Sequence, residues 1–318
     1  MEERSPFHAA LAAIPGTYII GVAGDSGSGK TTFTASVRHL FGDQLVSTIT
    51  LDDYHLFDRE ERRVRNITPL APVANDLEAL ERDLRELKKG IPVRKKVYDH
   101  VTGTLRGPVE FSPSRILILE GLHTLFSPAL RGLIDFSLYV DPAPDVKKEW
   151  KVKRDTGKRG YSEQEVMEEM RKRQADYTRY IEPQREFADA IVHVAFSRFG
   201  RELGWTRNIY RISLIQLPIP ETTGDIGFTI GLPLLATTKT CPFSLEFDHR
   251  TIRERKMAAL TVDGECDRSF LPLFTRYLEK ETGIDPAVVY GERRCLPPSE
   301  IIQLIFCWRI IRDILSRA

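Results

Sequence analysis

Eight residues constrain this chain more than any others: Gly24-Asp25-Ser26-Gly27-Ser28-Gly29-Lys30-Thr31. They fit the pattern G-x-x-x-x-G-K-[ST] and follow an apolar run, Tyr18-Ile19-Ile20-Gly21-Val22-Ala23, that reads as a buried strand. Behind them, Thr32 to Leu40 carries Phe33, Val37 and Leu40 at helical spacing. Strand, glycine loop and helix is the setting in which such a loop binds phosphate. Glycines let backbone N–H groups close around an anion, and the helix N-terminus adds partial positive charge. On this reading Gly24 to Thr32 bind the nucleotide, Lys30 reaches the β- and γ-phosphates of ATP, and the Thr31 hydroxyl is a ligand for Mg²⁺. A chance match in a chain this long arises about once in a hundred sequences. A Gly/Ser-rich turn is the bland alternative.

The remaining candidates follow from where strands end. Leu45 to Leu51 is a β-prone run that closes on Asp52-Asp53-Tyr54-His55. A carboxylate just past the C-terminal end of a strand stands where open α/β sheets hold their ligands. Asp52, with Asp53 second, is therefore the candidate to accept a proton from an attacking hydroxyl, against the alternative of a turn or helix cap. The mixed run Arg59-Glu60-Glu61-Arg62-Arg63-Val64-Arg65 is ordinarily a solvated helix face. Directly behind the candidate base, however, Arg59 is placed to hold an anionic substrate. Asn75-Asp76 caps a helix over Leu77 to Leu87. Arg94 to His100 joins an alternating basic strand to a polar end, where His100 is either a loop histidine or a substrate contact. Arg115 to Gly121 is nearly all apolar, as in a strand buried on both faces of a parallel sheet. Glu120 at its tip either holds Mg²⁺ through water or caps the following turn.

Phe136 to Val140 predicts another buried strand, followed by a helix from Pro144 that ends in Lys151-Val152-Lys153-Arg154-Asp155-Thr156-Gly157-Lys158-Arg159-Gly160. Lys151, Arg154 and Lys158 share one helical face, and glycines flank Lys158-Arg159. That pattern suits a mobile basic lid closing on polyphosphate, the alternative being a solvated helix end. Ser162 and Glu165 form a capping box for a charged helix reaching about Tyr180, and Ala190 to Ala195 supplies one more strand.

Beyond residue 200 the character changes. Short runs at Ile212–Leu217, Gly227–Ile230, Cys241–Phe247 and Met257–Val262 predict antiparallel hairpins, and helices over Arg268–Thr282 and Pro298–Arg317 close the chain. The expected fold is α/β, a P-loop kinase core over 1–200 with a mostly parallel central sheet flanked by helices. A mixed α+β extension over 201–318 would follow, and sheet-edge pairing through it would make a homodimer. Lys+Arg 46 against Asp+Glu 45 leaves a net charge of +1, so no global field favours nucleic acid or a membrane surface. Cys241, Cys266, Cys295 and Cys307 show no C-x-x-C spacing, which argues against a zinc site and against a disulfide framework. Met1-Glu2-Glu3-Arg4 does not open a signal peptide, and no apolar run approaches the ~20 residues of a membrane span, so a cytoplasmic protein is expected.

Together these motifs resemble the uridine kinase and phosphoribulokinase group of P-loop kinases over residues 17–195. The loop, the post-strand Asp, the acidic strand tip and Arg154-Asp155-x-x-x-Arg159-Gly160 are common to the whole group. Two stretches are similar to its phosphoribulokinase branch. One is Asp52-Asp53-Tyr54-His55-x-x-x-Arg59, where uridine kinases tend to have Tyr at the His55 position; the other, Tyr98-Asp99-His100-Val101-Thr102-Gly103, looks like Y-[ND]-H-V-T-G. An extension of this size is also expected of that branch. The resemblance implies ATP-dependent phosphorylation of ribulose 5-phosphate at its C1 hydroxyl, with Asp52 as general base and Glu120 at the metal. It implies His55, Arg59, Lys151 and Arg154 around the sugar phosphate, with Asp53, Tyr98, His100 and Asp155 in the substrate shell. Arg159 would come from the lid to the nucleotide phosphates. Light-regulated members carry Cys at the positions of Ser28 and Thr50; this chain has neither, which implies the dimeric type without thioredoxin control. Two other functions stay open: a nucleoside or small-metabolite kinase of the same group, and a non-catalytic nucleotide-gated regulator.

Overall fold

A strand buried on both faces needs apolar residues at nearly every position, and two stretches here meet that demand, with Glu120 the one charged exception. The computed structural model describes residues 5–202, 208–218, 241–285 and 290–317. In chain order its first elements are α1 (Pro6–Ala13), β1 (Tyr18–Gly24), α2 (Lys30–Phe41), β2 (Val46–Thr50), a 3₁₀ turn (Leu51–Tyr54), α3 (Arg59–Val64), α4 (Leu77–Lys88), β3 (Val93–Asp99) and β4 (Thr104–Phe111). Then come β5 (Ile116–Gly121), α5 (Pro128–Arg131), β6 (Phe136–Pro142), α6 (Pro144–Arg159), α7 (Glu163–Asp176), β7 (Ala190–Phe196) and α8 (Arg198–Glu202). The chain closes with β8 (Tyr210–Gln216), β9 (Phe243–Ile252), β10 (Arg255–Gly264), β11 (Cys266–Asp267), α9 (Leu271–Thr282), β12 (Cys295–Leu296) and α10 (Pro298–Leu315). They fall into two compact units, one of residues 15–31 and 44–189, the other of residues 1–14, 32–43 and 190–318.

In the first unit the strands lie in the order β2-β5-β1-β6, all parallel, with Tyr18 and Val46 both beside Ile116 and Ile20 beside Phe136. β1 and β5 are buried at every residue, as the apolar runs required. Leu80, Leu84 and Leu87 repeat along one face of α4 and pack on Ile19, Ile49, Leu117 and Leu119. Burying each leucine contributes on the order of 1.5–3 kcal/mol, which fixes α4 against the strands. Asp76 caps this helix by accepting the Ala79 N–H at 2.9 Å. β3 and β4 form a separate antiparallel hairpin. The capping box of α7 forms as the sequence indicates, Ser162 accepting from Glu165 N and Glu165 from Ser162 N.

The second unit orders its strands β7-β8-β10-β9, antiparallel throughout. β9 turns into β10 through Arg253 and Glu254, both at positive φ (44° and 63°), the backbone of a tight two-residue hairpin turn. α10 buries residues on all sides, among them Ile301, Ile302, Phe306, Ile310 and Ile311, and is therefore a core helix of this unit. The strand expected at Gly227–Ile230 lies outside the described residues. One expectation is corrected: the absence of C-x-x-C spacing argued against a disulfide framework, yet Cys241 and Cys295 are bonded, with Cα atoms 6.1 Å apart. The partners are 54 residues apart, a pairing made by tertiary structure that sequence spacing does not report. Cys266 and Cys307 are free and buried.

Candidate active site

The glycine loop joins β1 to α2, and backbone conformation explains its composition. Gly24, Gly27 and Gly29 adopt φ of 148°, 81° and 92°, which side chains with a Cβ rarely tolerate. A Cβ on Gly24 would also lie 2.6 Å from the Val140 carbonyl oxygen. Asp25 braces the loop: one carboxylate oxygen accepts the Ser26 N–H at 2.6 Å, the other meets Lys147 Nζ at 3.0 Å. Lys30 folds back over the loop, donating to the carbonyls of Gly24 (2.9 Å) and Asp25 (2.7 Å). Burial of its ammonium lowers the pKa of Lys30, while Glu120, Asp25 and Asp52 oppose that shift with their negative charge. Thr31 donates its hydroxyl to Glu120 Oε1 at 2.9 Å, so the loop threonine and the β5 acid meet at one point. Thr32, one residue further on, is exposed.

β2 pairs Thr50 with Glu120 of β5, and its chain then enters the 3₁₀ turn that carries Asp52. Gly121 makes this close approach possible, since a Cβ there would fall 2.4 Å from Leu51 Cβ. The two neighbouring acids then part company. Asp53 turns inward, is buried, forms an ion pair with Lys95 and accepts the Tyr98 N–H at 2.7 Å. Asp52 stays partly exposed between two imidazoles, with His55 Nε2 at 3.6 Å and His100 Nε2 at 3.5 Å. Tyr98 wedges its ring between the same two histidines, edge-on to each at centroid distances of 5.0 and 5.1 Å. Arg62 holds the Tyr98 hydroxyl at 2.9 Å. Arg59 donates to the backbone carbonyls of His100 (2.6 Å) and Val101 (3.4 Å), tying α3 to the hairpin tip.

A basic cluster from α6 faces the glycine loop. Arg154 binds both carboxylate oxygens of Asp155 and reaches Ser26 Oγ at 3.4 Å. Lys151 is buried, and desolvation, aided by Arg173, pushes its pKa down to about 8 against the pull of Asp25 and Asp155. Lys147 sits 3.8 Å above the Tyr177 ring. The side chains of Lys158 and Arg159 lie outside the described residues.

Apart from Lys158 and Arg159, the side chains singled out in the sequence lie around the loop and the Asp52 turn, whereas several of their partners were not singled out. Lys95, Arg62 and Lys147 are the main ones, and Asn75 stood out only as a helix cap. Alternation along β3 could have found Lys95, because Val93 and Lys95 face inward while Arg94 is exposed. Nothing local distinguishes Arg62, the buried member of its run, from Arg63 or Arg65.

This arrangement defines a P-loop kinase: a phosphate loop, a Thr–Glu oxygen pair at its end, and a carboxylate beyond a neighbouring strand. The family model described as Phosphoribulokinase / Uridine kinase family matches residues 19–198, and the chain belongs to that family. The phosphoribulokinase of Synechocystis sp. is 37% identical over 257 residues, covering 78% of this chain and 77% of that protein. A uridine kinase of Staphylococcus carnosus is 36% identical over 183 residues, covering 55% of this chain and 86% of its own. Among solved structures, the phosphoribulokinase from Rhodobacter spheroides matches with a TM-score of 0.56 at 19% identity over 95% of this chain and 99% of that one, a likeness of fold.

Proposed function

We propose that this protein transfers the γ-phosphoryl group of ATP to the C1 hydroxyl of D-ribulose 5-phosphate, giving ribulose 1,5-bisphosphate and ADP. The observation that carries the proposal is Asp52, a carboxylate between two imidazoles within the electrostatic reach of Lys30. The reach of the likeness supports it too: the match to the Synechocystis phosphoribulokinase runs over 78% of this chain, that to the uridine kinase over 55%. In the reaction Asp52 takes the hydroxyl proton, the C1 oxygen bonds to the γ-phosphorus, and the bridging P–O bond breaks toward ADP. Lys30 leaves its two carbonyls for the β- and γ-phosphates, and the glycine loop supplies N–H donors. Lys151 and Arg154 offset charge on the phosphates, and Arg159 is assigned to the nucleotide from the lid. Asp53 and Asp155 act by holding Tyr98 and Arg154, and Arg59 and His100 line the acceptor side.

Thr31 and Glu120 fit a Mg²⁺ ion, being adjacent hard oxygen donors beside the phosphate loop. When bound, such an ion neutralises charge on the transferring phosphoryl group. The core over 1–200 and extension over 201–318 belong to the same proposal, with the extension pairing two copies into a homodimer. β9 supports this, being the outer strand in its unit's order and carrying Phe247 at 82% exposure. Among the described residues no helix is long and apolar enough to cross a membrane, and a cytoplasmic enzyme is proposed.

A coupled assay of ADP release across ribulose 5-phosphate, ribose 5-phosphate and uridine tests the function. Turnover on ribulose 5-phosphate, with the bisphosphate recovered, is expected. Preference for uridine would replace this reading with a nucleoside kinase, and ATP binding without turnover on any acceptor would leave a regulator.

A further inference from the structure

Asn75 and Asp76 read in the sequence as one capping pair, but only Asp76 caps α4. Asn75 points elsewhere. It is buried, its backbone forms an isolated antiparallel bridge with His55, and its Oδ1 lies 2.7 Å from His55 Nδ1. Both of its amide protons are already committed: Nδ2 donates to the carbonyls of Pro69 (3.1 Å) and Ala71 (3.0 Å). Flipping the amide would set Oδ1 against two carbonyl oxygens and leave three acceptors crowded together, so the orientation is determined. An oxygen facing Nδ1 can only accept, which requires His55 to carry its proton there.

We propose that Asn75 is a positioning residue: it fixes the Nδ1–H tautomer of His55, so that the bare Nε2 and the Asp52 carboxylate stand together as a pair of acceptors for hydroxyl groups of the acceptor substrate. His55 then meets the sugar's hydroxyls, and its phosphate is left to the cationic side chains. This assignment rests on the reading of Asp52 as the base given above. Two acceptors 3.6 Å apart repel one another until a donor enters, and a polyol supplies such donors where a phosphate dianion cannot.

The surroundings favour the neutral ring. Burial lowers the His55 pKa first; Arg62 from α3 and His100 from the hairpin lower it further, while Asp52 and the Asn75 hydrogen bond oppose them. Tyr98 covers one side of the ring, and His123, itself buried and with its pKa lowered to about 4, lies near enough to feel its charge. Protonation would turn Nε2 into a donor that closes on Asp52 and removes the base, so activity should fall as pH drops through the His55 pKa.

The test begins with the unaltered protein labelled with [¹⁵N]histidine, His55 being assigned by the signal missing from His55→Gln. At neutral pH the ring should show a protonated Nδ1 and a bare Nε2. An Nε2–H tautomer or a charged ring would overturn the proposal, whatever acceptor the enzyme uses. In Asn75→Asp a carboxylate would stabilise the imidazolium, raising the His55 titration midpoint. The acid limb of kcat/KM for ribulose 5-phosphate should then move up by about one pH unit, with KM for ATP unchanged. A folded Asn75→Asp protein with neither shift would refute the positioning role. Loss of turnover on ribulose 5-phosphate in the unaltered protein, with the expected tautomer present, would instead count against the proposed function.

Discussion

The donor and acceptor sides of the site are built by different means. Eight contiguous residues make the phosphate loop, shaped by backbone conformation and closed by two bonds from Lys30 to carbonyls within the same stretch. Opposite it, Asp52 depends on side chains from distant parts of the chain: His55 set by Asn75, Tyr98 held by Arg62, and Asp53 tied to Lys95. A loop defined by backbone carries its chemistry almost unchanged to any acceptor. A pocket of buried polar side chains does not, because each member must be satisfied by another, and one replacement leaves its partner stranded. Selectivity for the acceptor should therefore be concentrated in this network, and with it a share of the stability.

Asp52 separates the two sides most decisively. In Asp52→Asn, kcat should fall by about 10²–10⁴-fold, the usual contribution of a general base, while ATP binding measured by titration calorimetry is retained. Parallel loss of ATP affinity would mean that Asp52 supports the donor side as well.

Lys95 should give the next largest effect, this time in stability. Its ammonium and the Asp53 carboxylate are both almost fully buried. Lys95→Met strands an uncompensated charge, and such truncations cost about 3–5 kcal/mol. Urea denaturation should show that loss, with part of it restored in the double variant Lys95→Met/Asp53→Asn. A cost under about 1 kcal/mol for the single variant would show that water reaches Asp53 and that the acceptor side depends little on this buried pair.

What was legible in the sequence follows the same division. The glycine loop, the apolar runs that became β1 and β5, and the Ser162–Glu165 box are local patterns, each determined within a few residues. Which of Asp52 and Asp53 faces the site was not local. Asp53 is drawn inward by Lys95 and the Tyr98 N–H, more than 40 residues downstream, and its own neighbours give no sign of this. Asn75 was hidden by its neighbour, since Asn and Asp are both good caps and only the fold separates the two uses. The Cys241–Cys295 bond was missed for the same reason: its partners are brought together by the fold of the second unit.

The smallest expected effect tests whether the cationic cluster is tuned by burial. With its pKa lowered to about 8, Lys151 is charged below that pH and neutral above it. A charged Lys151 attracts phosphate, so kcat/KM should bend downward above about pH 8 and fall roughly tenfold for each further unit if this group alone controls the limb. In Lys151→Arg the guanidinium stays protonated throughout the range, so the bend should disappear even though the altered geometry lowers the absolute rate. Lys30, whose pKa burial also lowers, is untouched in that variant, and a bend surviving the substitution would belong to the donor side. The pH profile of one conservative variant therefore decides whether Lys151 or Lys30 sets the alkaline limit.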